Sequence, residues 1–155
     1  MTKKQNSQHP FIHEILEKYT TLPEGIPVWK TIGIEITKEN FAENLFFLST
    51  DLADAFEMRH DHFCSRNSAK LLKKGYLNNH MYCAVHMARV GSNANRVQNV
   101  NYFTINGTKL LLMNLPDAKS RQWINDKKLA VFNRLLSFGD ESLQHDANED
   151  VTDCG

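Results

Sequence analysis

Asn106-Gly107 stands between two apolar, β-favouring runs, Val100–Ile105 and Thr108–Met113. A two-residue type I′ turn needs φ > 0 at both central positions, which Asn and Gly tolerate best, so this stretch predicts a β-hairpin. Another extended run, His80–Val90, precedes it across Gly91-Ser92-Asn93-Ala94-Asn95. Together they read as a three-stranded antiparallel β-meander over about residues 80–115, and the rest of the chain has to pack around it.

Upstream, Val28–Ile36 places Val28, Ile32, Ile34 and Ile36 on one parity, which predicts a fourth strand over 28–36. Phe41, Leu45, Leu48, Leu52 and Phe56 are spaced for one face of an amphipathic helix over 38–58, with Ser49-Thr50-Asp51 as a point of bending or restart. Phe46 and Phe47 are adjacent, so a helix would turn one of them away from the core. His9-Pro10 reads as the start of a first helix carrying Phe11, Ile12, Ile15, Leu16 and Tyr19, broken at Leu22–Pro27. A short helix from Arg66 to Lys74 should stop at Gly75. Pro116-Asp117 should open a last helix with Trp123, Leu129, Phe132, Leu135 and Leu136 on its buried face. The expected fold class is α+β, a sheet packed against amphipathic helices.

The chain of 155 residues is long enough for one domain to bury a core without disulfide or metal support. The expected organisation is a flexible N-terminus at 1–8, a single α+β domain at 9–139 and an acidic, disordered tail at 140–155. Cys64, Cys83 and Cys154 are an odd number and cannot close a disulfide framework. With an N-terminus that lacks an apolar signal core, this points to the cytoplasm. The apolar runs are only a few residues long, against about 20 for a membrane-spanning helix, so no membrane partner is expected.

The formal net charge of zero conceals a strong pattern. Residues 1–58 carry five basic and nine acidic side chains (−4), 59–134 thirteen and three (+10), and 135–155 none and six (−6). Arg66, Lys70, Lys73 and Lys74 fall at i, i+4, i+7 and i+8, one face of the short helix. Arg89, Arg96 and Lys109 extend the basic set, with Tyr76, Tyr82 and Tyr102 interleaved. Cations beside aromatic faces suit single-stranded nucleic acid, and the same surface suits an acidic protein. The plainer reading is a solvated helix face.

A second cluster holds His60, His62 and Cys64, followed by His80, Cys83 and His86. Imidazole and thiolate are zinc ligands. On an extended strand, however, His80 and His86 lie about 20 Å apart at about 3.3 Å per residue, so one metal cannot use both. A zinc site built from His60 and His62 with Cys64 or His80 is the version that survives, and histidines hydrogen-bonded within the fold are the commoner use of such residues. No nucleotide-binding glycine loop, cysteine-nucleophile signature or acid/base carboxylate pair is present. The sequence therefore points to a non-enzymatic binding or adaptor protein. Its basic face would meet an anionic partner, an acidic protein surface first and nucleic acid second, with no cofactor required. The rival is a metal-dependent enzyme centred on His60 and His62.

Overall fold

The computed structural model describes residues 10–60, 63–90, 93–116 and 119–138, with backbone alone for 63–65, 87–90 and 93–97. The expectations for 1–8 and 140–155 lie outside the described residues. The chain forms α1 (Ile12–Ile15), β1 (Leu16–Thr21), β2 (Pro27–Thr31), α2 (Phe41–Asn44), β3 (Leu45–Leu48) and α3 (Ser49–Ala55). A π-helical turn (Phe63–Ser68) then runs into α4 (Ala69–Lys73), followed by β4 (Met81–Val90), β5 (Asn93–Thr104), α5 (Ile105–Asn114) and α6 (Gln122–Leu136). All strand pairs are antiparallel, in the order β1-β2-β3-β5-β4. The α+β class is therefore as expected. Among the described residues no helix is long and apolar enough to cross a membrane.

β4 and β5 form the long hairpin that the meander anticipates, from Met81 opposite Phe103 to Val90 opposite Asn93. The third strand of the meander does not form: Ile105–Asn114 is a helix. Thr104 caps it, its Oγ1 accepting the Gly107 N–H at 3.0 Å, while Thr108 Oγ1 donates to the Thr104 carbonyl at 2.9 Å. Asn106-Gly107 is thus the first turn of α5. Both edges of β5 are already taken, by β3 and β4, so a strand at 108–113 could not pair with β5 as a hairpin requires. Leu and Met, which fill 110–113, are also good helix formers.

Two more expectations are corrected in the same way. Leu45–Leu48 is a strand inside the region 38–58 expected to be helical, paired to β2 and β5, and a helix restarts at Ser49. All four residues are buried, because alternate side chains of a central strand enter cores on both sides of the sheet. Phe46 and Phe47 are both buried for that reason, Phe47 in the main core and Phe46 in a second one. The first helix is only α1, and Leu16–Thr21 continues as β1. The Leu22–Pro27 break is the hairpin loop: Gly25 takes φ +89°, the Gly25 N–H meets the Leu22 carbonyl, and the Leu22 N–H meets the Ile26 carbonyl. The resulting register sets Glu17 opposite Lys30, and the two pair at 2.7 Å. The predicted strand 28–36 shortens to 27–31, and Ile32 and Ile34 are exposed past its end.

The main core lies between one face of the sheet (Val28, Leu45, Phe47, Phe103) and the helices (Leu52, Phe56, Leu111, Leu112, Val131, Leu135). The second core gathers Ile12, Leu16, Phe46, Leu48, Ala84 and Val100 on the opposite face. The chain path shows that this face is concave. Phe11 bridges to Val85 on the outer edge of β4, yet five residues later Leu16 is in β1, the opposite edge. A flat five-stranded sheet is about 19 Å wide at about 4.8 Å per strand, while a helical turn of four residues advances only about 6 Å. The sheet must curl until its edges approach, and α1 fills the gap.

Candidate functional site

The described segment 66–80 is built locally. Ser68, Leu71 and Leu77 are buried, so the helix meets the body along a narrow stripe. It ends in a Schellman motif: the Tyr76 N–H reaches the Leu71 carbonyl at 2.9 Å, the Gly75 N–H reaches Leu72 at 3.0 Å, and Gly75 adopts φ +84°. Gly75 thus stops the helix as its sequence position predicts.

Most of the segment off that stripe faces solvent. Arg66, Lys70, Lys73 and Lys74 are all exposed, and among the described residues none has an ion-pair or hydrogen-bond partner. Leu72 (42% exposed) and Tyr76 (52%) stand among them. The surface therefore combines unneutralised cations with apolar area. Cations near a helix C-terminus also favour the helix itself by about 0.3–1 kcal/mol each, which is the purely structural use of Lys73 and Lys74.

Other cations are engaged within the fold. Arg134 Nε donates to both carboxylate oxygens of Glu24, at 2.8 and 3.1 Å. Arg121 pairs with Glu57. Lys127 and Lys128 donate to the carbonyls of Ala55 and Leu115, at 2.8 and 3.1 Å. Partial burial pushes the Glu24 carboxyl up, but the Arg134 hydrogen bond, the Glu24 N–H and nearby positive charge outweigh it and hold Glu24 below its ordinary value.

The remaining residues of the basic set are dispersed. Arg89 and Arg96 lie in the far half of the β4–β5 hairpin, and their side chains lie outside the described residues. Lys109 belongs to α5 and lines a cleft with residues of α2 and α6, away from α4 in the chain. Of the interleaved tyrosines, Tyr82 and Tyr102 pack against Phe46 on the sheet. The Tyr82 hydroxyl donates to the Asn79 carbonyl at 2.9 Å. Burial, with Tyr82 and Cys83 alongside, raises the Tyr102 phenol above its ordinary value. Tyr76 is the one of the three on the α4 side of the loop.

The histidine set separates in space. His60 Nε2 lies 2.7 Å from Asp54 Oδ1. His80 Nδ1 lies 3.0 Å from Thr104 Oγ1, and the His80 carbonyl accepts the Thr104 N–H at 3.1 Å. His80 thus fastens the start of β4 to the junction of β5 and α5. The side chains of His62 and Cys64 lie outside the described residues. Among the described residues no three His, Cys, Asp or Glu side chains converge as a metal site would require.

A second group of polar side chains gathers beside α3, and sequence reasoning missed it because its members come from five elements. Trp29 Nε1 donates to Asp51 Oδ2 at 2.8 Å. Burial raises the Asp51 carboxyl above its ordinary value and Asp54 adds to the rise, while the Trp29 bond, His86 and Lys18 oppose it. The His86 ring packs on His13, centroids 5.5 Å apart. Trp123, expected on the buried face of α6, is exposed, with the Arg121 guanidinium and Lys127 ammonium 5.3 and 5.9 Å from the ring centroid. The buried face of α6 is carried by Val131 and Leu135, while Leu129 and Leu136 point outward.

Comparison of the chain with models of protein families, with curated proteins and with solved structures finds no match.

Proposed function

We propose that this chain is a non-enzymatic binding or adaptor protein whose exposed cationic helix, Arg66 to Lys74, engages an acidic surface of another protein. One observation carries the reading: four cations share a solvent-facing helix and have no internal partners among the described residues. Leu72 and Tyr76 supply apolar contact area beside the charge. That mixture fits a protein partner, in which carboxylates pair with the cations around an apolar centre. The helical segment is also short. Residues 66–74 span about 12 Å at about 1.5 Å per residue, enough to meet one acidic helix or loop.

A second reading, single-stranded nucleic acid, draws on the exposed Tyr76 next to Lys73 and Lys74, since bases can stack on its ring.

The test is fluorescence anisotropy of the full chain with a labelled twelve-residue glutamate-rich peptide and with labelled single-stranded DNA and RNA, across a salt series. The acidic-protein reading expects peptide binding that weakens steeply with salt and falls about tenfold or more in Lys70→Glu/Lys73→Glu. Preferential oligonucleotide binding with a log–log salt slope of about −3, at about 0.7 per neutralised phosphate of a single strand for four cations, would favour the second reading. No salt-sensitive binding to any of these polyanions at low salt would refute both.

A further inference from the structure

We infer that the groove between α5 and α6 is a docking site for an amphipathic helix of a partner protein bearing a carboxylate opposite Lys109. The groove is independent of the α4 face and of the function proposed for it. At one end it deepens into a cleft of about 170 Å³ lined by Phe41, Ile105, Leu135 and Leu136, with Asn106 and Lys109 as polar members. From there two ridges run along the surface. On α6, Leu136 (57% exposed) is followed seven residues back by Leu129 (60%), with the half-buried Phe132 between them. On α5, Met113 (66% exposed) lies one turn beyond Lys109.

A short connection joins α5 to α6, and Ile105 at the start of α5 meets Leu135 near the end of α6 in the cleft. The helices therefore run antiparallel, and Met113 comes level with Leu129. Seven residues of helix advance about 10 Å, so the apolar strip is about two helical turns long. That length matches anchors at i, i+3 or i+4, and i+7 of a docked helix. Large apolar side chains this exposed and this regularly spaced are not scattered surface residues.

Charge selects the occupant. Lys109 has no ion-pair or hydrogen-bond partner among the described residues, and no carboxylate lines the cleft. A helix carrying Glu or Asp beside its apolar anchors would supply the missing partner. A second copy of this chain would bring another Lys109-bearing face against the first.

The probe is a labelled eighteen-residue peptide with leucines at i, i+3, i+7 and i+10, flanked by glutamates, and its counterpart with lysines in place of the glutamates. The full chain should bind the glutamate peptide at least tenfold tighter than the lysine peptide. Leu129→Asp and Leu136→Asp should each reduce that binding at least tenfold; both side chains are already exposed, and circular dichroism checks that the variants fold. Lys109→Glu should reverse the preference between the peptides. Equal affinity for both peptides, or glutamate-peptide binding unchanged in both Leu129→Asp and Leu136→Asp, would overturn the inference. A concentration-dependent dimer in light scattering that Leu136→Asp abolishes would also overturn it, giving the groove to a second copy.

Discussion

Gly107→Ala separates the helical first turn of α5 from a hairpin turn at the same residues. In an open helix, alanine for glycine stabilises by up to about 1 kcal/mol. Here a Cβ on Gly107 would stand 2.5 Å from the His80 carbonyl oxygen and 3.0 Å from His80 Cβ. That oxygen cannot swing away, because it accepts the Thr104 N–H at 3.1 Å, and His80 Nδ1 is held on Thr104 Oγ1 at 3.0 Å. Forcing a methyl group into a packed site costs about 1–3 kcal/mol, and a pinned backbone neighbour places this case toward the upper end. Subtracting the helix gain leaves a net loss of about 1–2 kcal/mol. For a chain of this length that is a fall in Tm of about 2–8 °C, at about 2–4 °C per kcal/mol. Urea unfolding followed by tryptophan fluorescence measures it. Asn106→Ala is the paired control. Asn106 is exposed, and its φ is not positive, so the change should stay within about 0.5 kcal/mol. In a type I′ turn the same substitution would force alanine into a positive φ and be clearly destabilising. If Gly107→Ala is as stable as the parent chain, or Asn106→Ala is the more damaging of the two, the packing argument for α5 is wrong.

Thr104→Val should cost about 1–2 kcal/mol, since it removes the N-cap acceptor of Gly107 and the partner of His80; the same urea titration reads it. Phe47→Ala, at a fully buried position in the central strand, should cost about 3–5 kcal/mol, and a loss under about 1 kcal/mol would contradict its place in the core. Glu24 has a folded-state pKa below its unfolded value, so its contribution is present above the unfolded value and is lost as pH falls through the folded one. The stability gap between the parent and Glu24→Gln should therefore close on acidification below about pH 4.5, and a gap that widens there would refute the Arg134 pairing. Asp51 has the opposite sign: its raised folded-state pKa makes its contribution most favourable at low pH and less so as pH rises through that value. Asp51→Asn keeps an acceptor for Trp29, so it should gain on the parent chain between pH 4 and 8 in thermal unfolding followed across that range.

The parts that sequence reading anticipated are those whose physics is local. Gly75 ends α4 because the left-handed conformation it adopts costs glycine little, and that needs no knowledge of the rest of the chain. The cations of 66–74 share an exposed face because helical spacing puts them there. The exposed leucines of α6 beside α5 are not legible in the sequence, because Asn106-Gly107 favours a strand where α5 forms and helical spacing alone puts Leu129 and Leu136 on a buried face. Trp29 meets Asp51 only because β2 pairs with β3, the strand that runs directly into α3.

The sequence by itself determined an α+β chain, the long run of β4, a terminal helix, the stop at Gly75 and the uneven distribution of charge. Tertiary structure decided between helix and strand at the two places where the local pattern served both. Phe41, Leu45, Leu48, Leu52 and Phe56 fit a helical stripe, yet Leu45–Leu48 is a strand because β2 and β5 present edges to it. Thr108–Met113 follows an Asn-Gly pair suited to a hairpin, yet it is helical because both edges of β5 are occupied. A helix satisfies its backbone hydrogen bonds within its own segment, whereas a strand borrows its partners from distant residues. Whether those partners have a free edge is a property of the whole fold.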